Sequence, residues 1–145
     1  MKQCLIVLFL ACFLTIDAQK ITHINYSGII TLSDGRLLAF EMDLTEKEGI
    51  VNGFSITGSG TADETKSDIS GVYNKKKKSY ILKETQVLET KSEANLNSFC
   101  YINMEIKEIG KLSKKRIEGD FTGYFSDGRQ CASGKVLLIK KEKLE

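Results

Sequence analysis

The chain has 145 residues, 41% hydrophobic and 28% charged, with no proline and no tryptophan. Those fractions exclude wholesale disorder, and 12 glycines without a three-residue period exclude collagen. Lys+Arg at 21 against Asp+Glu at 19 leaves a net charge of +2, so there is no whole-chain electrostatic case for nucleic acid.

The first segment reads as processing. Residues 4–14 form one apolar run, Cys-Leu-Ile-Val-Leu-Phe-Leu-Ala-Cys-Phe-Leu, behind a weakly charged Met1-Lys2. The run suits a secretory signal and falls short of the ~20 residues of a membrane-spanning helix. The small Ala18 before Gln19 predicts a cleaved signal peptide over 1–18. Residues 19–145 then form one secreted or periplasmic domain, not membrane-spanning once mature. An uncleaved anchor is one alternative. Leu10-Ala11-Cys12 loosely matches a lipoprotein box, but Phe13-Leu14 is an odd apolar start for a lipidated tail. Cys4 and Cys12 leave with the signal. The remaining pair, Cys100 and Cys131, reads as one disulfide in an exported chain, against the alternative of two reduced, buried thiols.

The rest of the chain alternates with period 2. Leu38, Phe40, Met42 and Leu44 alternate with polar or small residues. So do Cys100, Ile102, Met104 and Ile106, and Ile117, Gly119, Phe121, Gly123 and Phe125. Turn signals separate these runs: Asp34-Gly35, Glu46–Gly49, Gly58-Ser59-Gly60, Asn74 with Lys75–Lys78, the stretch 89–98, residues 110–115, and Asp127-Gly128. They delimit eight strands at 24–32, 36–45, 50–57, 65–74, 79–88, 99–109, 116–125 and 131–140. Short connections favour sequential antiparallel pairing. The fold class is therefore all-β: a single small antiparallel up-and-down barrel or flattened sandwich of about eight strands. Gly28, Gly53, Gly71, Gly119, Gly123 and Gly134 fall inside strands, where glycine marks a bend, a bulge or a close approach. Two short echoes occur, Ser-Asp-Gly-Arg at 33–36 and 126–129, and Glu-Thr-Lys-Ser at 64–67 and 89–92, without a fixed period.

An up-and-down order places odd-numbered turns at one end and even-numbered turns at the other. The odd end carries seven acids against four bases and the two longest loops. The even end, with both termini, carries thirteen bases against four acids. Asp63, Glu64, Asp68, Glu89 and Glu93 are the candidate ligand- or partner-binding residues, because long loops often carry binding. Asp63, Glu64 and Asp68 lack the spacing of a calcium loop, so no metal and no cofactor is expected. Lys75, Lys76, Lys77, Lys78, Lys114 and Lys115 form a basic surface that could meet an anionic envelope surface, or merely solubilise turns. Nucleic acid is not an expected partner, since no aromatic residue interleaves with Lys75–Lys78.

Catalysis finds little support. His23 is the only histidine and lies near the start of the domain. No nucleophile elbow, phosphate loop or dinucleotide fingerprint is present. Glu84 shares parity with Tyr80, Leu82 and Leu88 and is the one acid placed to point inward; a slipped register would explain both it and Gln86. The disulfide strains the strand order. Cys100 and Cys131 open the sixth and eighth strands, ~10 Å apart across the seventh at ~4.8 Å per strand, whereas a bridge needs less than about 7 Å. Either the Asp127 hairpin folds over or the order is wrong there.

The layout resembles lipocalin-like and avidin-like barrels in architecture, without the tryptophan those families use, so none of their ligand residues carries over. Asn52-Gly-Phe-Ser-Ile-Thr57, Asp63-Glu-Thr-Lys-Ser67 with Ile69-Ser-Gly-Val-Tyr-Asn74, Asn97-Ser-Phe-Cys-Tyr-Ile102 and Glu118-Gly-Asp-Phe-Thr-Gly-Tyr-Phe-Ser-Asp-Gly-Arg-Gln-Cys131 resemble uncharacterised small secreted proteins of Gram-negative bacteria. That resemblance implies no activity. The expectation is a non-catalytic binding module, taking a small apolar ligand or a protein partner through loops 58–68 and 89–98. The alternative is an envelope structural or interaction protein docking by its lysine-rich end. An outer-membrane barrel is disfavoured by Asp43, Asp68, Lys83, Lys107 and Asp120 within strands. A lumen filled by Phe40, Met42, Phe54, Met104 and Phe121 would remove the small-apolar-ligand version.

Overall fold

The structure, a computed structural model, describes residues 20–110 and 115–141. The signal-peptide reading of 1–18, Cys12 included, and Lys114 lie outside the described residues. Eight strands follow one another: β1 (Thr22–Leu32), β2 (Leu37–Lys47), β3 (Ile50–Thr57), β4 (Thr65–Asn74), β5 (Ser79–Thr90), β6 (Tyr101–Ile109), β7 (Arg116–Tyr124) and β8 (Gln130–Lys140). Each pairs antiparallel with the next. β8 returns to β1, from Tyr26↔Lys140 to Leu32↔Gly134, and closes the barrel. Closure decides between barrel and sandwich and satisfies both outer edges.

Alternation builds the lumen. Ile24, Tyr26 and Ile30 from β1, Phe40, Met42 and Leu44 from β2, and Ile102, Met104 and Ile106 from β6 are all buried. Val51 from β3, Ile69 from β4, Tyr80 and Leu82 from β5, Ile117 and Phe121 from β7, and Val136 and Leu138 from β8 pack with them. Phe54 departs from the expected filling. It sits on the outer wall, half-buried, with Lys66 Nζ 4.2 Å from its ring centre. Room for the filling comes from tight coiling of the wall. A Cβ at Gly53 would lie 1.9 Å from the Asp43 carbonyl oxygen, and one at Gly71 2.0 Å from that of Ile81. Only glycine permits that approach.

The outer wall carries Asp43, Asp68, Lys83, Lys107 and Asp120 beside exposed Ile50, Val72 and Ile81. No helix among the described residues is long and apolar enough to cross a membrane.

Both echoes have local explanations. Asp34 and Asp127 each accept the backbone N–H of the arginine two residues on at 3.0 Å, and pair with its Nε at 2.7 and 2.8 Å. Gly35 and Gly128 take φ of 89° and 87°. One turn design is thus used at two hairpins of the same end. The second echo is a cross-strand pair. Thr65 lies opposite Thr90 with hydroxyls 2.9 Å apart, Lys66 opposite Glu89, and Lys91 Nζ reaches Glu64 at 2.8 Å. Because the strands run antiparallel, two copies of Glu-Thr-Lys place opposite charges face to face.

Cys100 and Cys131 are bonded, with Cα atoms 6.0 Å apart, and the strand order is nevertheless sequential. Cys100 precedes β6 and lies off the ladder. Cys131 has no partner in β7: Gly123 pairs with Ala132 and Tyr124 with Gln130, leaving Cys131 as the extra residue of a bulge. The bridge then passes over Gly123, where a Cβ would lie 2.3 Å from Cys100 Sγ. A bulge and a missing side chain remove the conflict that strand spacing alone implies. A disulfide is compatible with an oxidising compartment.

Candidate functional site

The odd-numbered turns gather at one end of the barrel around the two longest loops. In the loop 58–64, Gly58 and Gly60 take positive φ, and Thr61 Oγ1 donates to the Gly58 carbonyl at 2.7 Å. Glu64 ties this loop to the one after β5. Its Oε2 accepts the Gly60 N–H at 2.7 Å, its Oε1 pairs with Lys91, and its carbonyl accepts the Lys91 N–H at 2.9 Å. The Gly60 N–H and then Lys91 hold the Glu64 carboxyl below the usual carboxylate range.

The five acids expected to form a site do not converge. Asp63 is exposed at the end of its loop. Asp68 lies within β4 on the outer wall, accepting from Thr85 Oγ1 at 2.9 Å. Glu89 lies within β5, not in the loop, opposite Lys66. Glu93 is exposed on the loop beyond. Among the described residues no group of three His, Cys, Asp or Glu side chains is placed to hold a metal ion. His23 is exposed, its Nδ1 3.1 Å from Thr45 Oγ1.

The acid that the fold does bury is Glu84, 3% exposed. Two irregularities in β5 put it there. Ile69 pairs with Glu84 and Asp68 with Gln86, so Thr85 is a bulge; Ser67 pairs with Val87 and Lys66 with Glu89, so Leu88 is another. Glu84 keeps the inward parity of Tyr80 and Leu82, while Gln86 and Leu88 are turned out, Leu88 to 44% exposure. The inward reading of Glu84 therefore needs no slipped register. The bulge also parts β5 from β6, whose ladder runs only from Ser79↔Lys107 to Lys83↔Asn103. Above it, Glu84 Oε2 accepts the Ile102 N–H at 2.8 Å, and Ser55 Oγ donates to Oε1. Burial pushes this carboxyl up to about 7, partly offset by the Ser55 and Ile102 hydrogen bonds.

Above Glu84 lies a cavity of about 270 Å³. The stretch 91–100, with a single 3-10 turn at Leu96–Ser98, contributes Ser92, Ser98, Phe99 and Cys100 to its wall. Thr57, Thr65, Ser67 and Val87 come from the barrel, and Asp63 from the facing loop. Among the described residues its lining includes two acids, several hydroxyls and no basic side chain. On the outside of the parted seam, Glu84 also borders a recess with Lys83, Tyr101 and Tyr124.

The opposite, lysine-rich mouth holds a larger cleft of about 650 Å³. Tyr26, Tyr73 and Tyr80 line it, the last two with ring centres 4.5 Å apart. Tyr80 donates to Glu108 at 3.1 Å, and Lys115 Nζ lies 3.5 Å from the same carboxylate. Burial raises the Tyr26 phenol to about 12 and raises Tyr80 further, so both hydroxyls stay protonated. Of the lysines expected to form a basic surface, Lys75 and Lys115 border this cleft. Lys76, Lys77 and Lys78 stand exposed on their turn.

Compared with known protein families, curated proteins and solved structures, the chain returns no match.

Proposed function

We propose that the chain is a non-catalytic binding module of an oxidising compartment outside the cytoplasm, comparable to the small secreted barrels of Gram-negative bacteria, and that it binds beneath the long loops at the odd-turn end. One observation carries this reading. The Glu84 cavity is walled by both loops and floored by a buried ionisable group without a basic neighbour in its lining. Phe40, Met42, Met104 and Phe121 occupy the centre of the lumen, so an apolar ligand has no space there, and the ligand or partner is polar. The test is native mass spectrometry of the exported protein, followed by amide exchange with and without whatever mass it retains. Protection of residues 58–64 and 91–100 by the retained molecule is the expected result. Protection confined to the opposite mouth would overturn it.

That opposite mouth supports a second reading, docking through the lysine-rich end. The observation favouring it is the tyrosine-lined cleft, the larger of the two volumes. Within it Glu108 accepts from Tyr80 and pairs with Lys115, while Lys20, Lys75 and Lys140 add further cations to the lining.

A further inference from the structure

From the lining of the odd-end cavity we infer that its ligand is a small organic primary ammonium, with Glu84 as counter-ion and an apolar tail against Phe99. This rests on the loop-end binding reading above and adds the chemical class. Three features point to it. Glu84 is buried, aimed at the cavity floor, and paired only with neutral donors, the Ser55 hydroxyl and the Ile102 amide. A buried carboxylate without a cation is costly, and a cation placed beside it removes most of that cost. The wall offers Thr57, Thr65, Ser67, Ser92 and Ser98 hydroxyls, acceptors for the other ammonium protons. The only other charge in the lining is Asp63, again an acid. An anion would meet two carboxyls and no base. A neutral ligand would leave the carboxyl protonated. The volume of about 270 Å³ admits a molecule of roughly ten heavy atoms and excludes a folded partner.

Capture of the ammonium is coupled to proton release. While Glu84 is ionised, Ser55 donates to Oε1; once Glu84 is protonated, its proton can go to Ser55 Oγ and the Ser55 hydrogen to the Ser67 carbonyl 3.5 Å away. The ammonium takes the place of that proton, which leaves to solvent. The groups facing Glu84 from neighbouring strands are Ser55, Ser67 and Ile102, none of which titrates. The charged or titratable groups nearby are Asp63 across the cavity, Tyr101 in the wall it shares with the outer recess, and Lys83 and Tyr124 in that recess. Binding therefore tightens with pH, by roughly tenfold from pH 6 to pH 8, as the ionised fraction of a group titrating at about 7 rises.

The experiment is titration calorimetry with phenethylamine, 2-phenylethanol and phenylacetate, in buffers of different ionisation enthalpy. The expected result is binding of the amine alone, one proton released per amine at pH 6, affinity rising to pH 8, and loss of binding in Glu84→Gln. Asp63→Asn, an exposed substitution that leaves the core untouched, should weaken binding a fewfold and guards against a Glu84 variant that fails to fold. Equal binding of the alcohol, binding without proton release, or no binding of the amine at millimolar concentration overturns the ammonium assignment. In each of those cases the loop-end reading still stands or falls separately, on whether a retained mass protects 58–64 and 91–100.

Discussion

Glu84 makes the stability of the barrel depend on pH with an unusual sign for an acid. Its folded-state value of about 7 lies above the unbound carboxyl's 4.5, so the native state holds a proton that the unfolded chain gives up. Its contribution is complete below pH 4.5 and is lost as pH rises to about 7. The loss reaches about 3 kcal/mol at most, at 1.36 kcal/mol per unit. Glu84→Gln keeps both contacts, an amide N–H to Ser55 and an amide oxygen for Ile102, and carries no proton to lose. Denaturant unfolding at pH 5 and pH 8 should show the wild type falling between the two and the variant unchanged in that component. Equal pH slopes would mean that Glu84 reaches water. The residue's special position was only half legible. Its parity with Tyr80 and Leu82 is in the sequence, but so is that of Gln86 and Leu88. The bulge at Thr85 that separates them depends on the neighbouring strands, and no local residue preference announces it.

At the scale of the strand, Gly123 and the Cys131 bulge act as one device. Gly123→Ala should cost more than about 2 kcal/mol, because the new methyl lies 2.3 Å from a sulfur that the bridge holds in place. In a Cys100→Ala/Cys131→Ala background the same substitution should cost almost nothing. Losing the bridge should itself cost about 3–4 kcal/mol for a cross-link between residues 31 apart. Chemical denaturation of the four proteins tests both values, and equal costs of Gly123→Ala in the two backgrounds would refute the coupling. The elements themselves were legible. Alternation and turn residues place all eight strands, because each strand keeps one face on the lumen and each turn carries its own Gly or Asp. The end of β5 moved for a physical reason: it runs on to Thr90 because the second Glu-Thr-Lys finds the first across the ladder, which draws Glu89 out of the loop where a site was expected.

For the whole molecule, apolar side chains from β1 to β8 meet inside one closed wall. Phe40→Ala should cost about 3–5 kcal/mol and open an apolar void at a fully buried side chain. Unfolding measurements give the first quantity, and uptake of an apolar fluorophore by the variant alone gives the second. Uptake by the wild type would mean that the core is not packed as described. The sequential strand order, which puts the odd-numbered turns at one end and the even-numbered turns at the other, was legible from the turn residues. The cavity was not, because it depends on the parting of β5 from β6 and on a loop that carries little pattern of its own.

The closing ladder between β1 and β8 has a consequence for how the chain reaches this state. Tyr26 must find Lys140, and Leu32 must find Gly134, so the first strand waits for the last before its outer edge is satisfied. Contacts of such long sequence separation slow folding, and until they form the apolar lumen is an open trough. A chain cut before β8 would leave the outer edge of β1 unpaired and one side of the apolar lumen open to water.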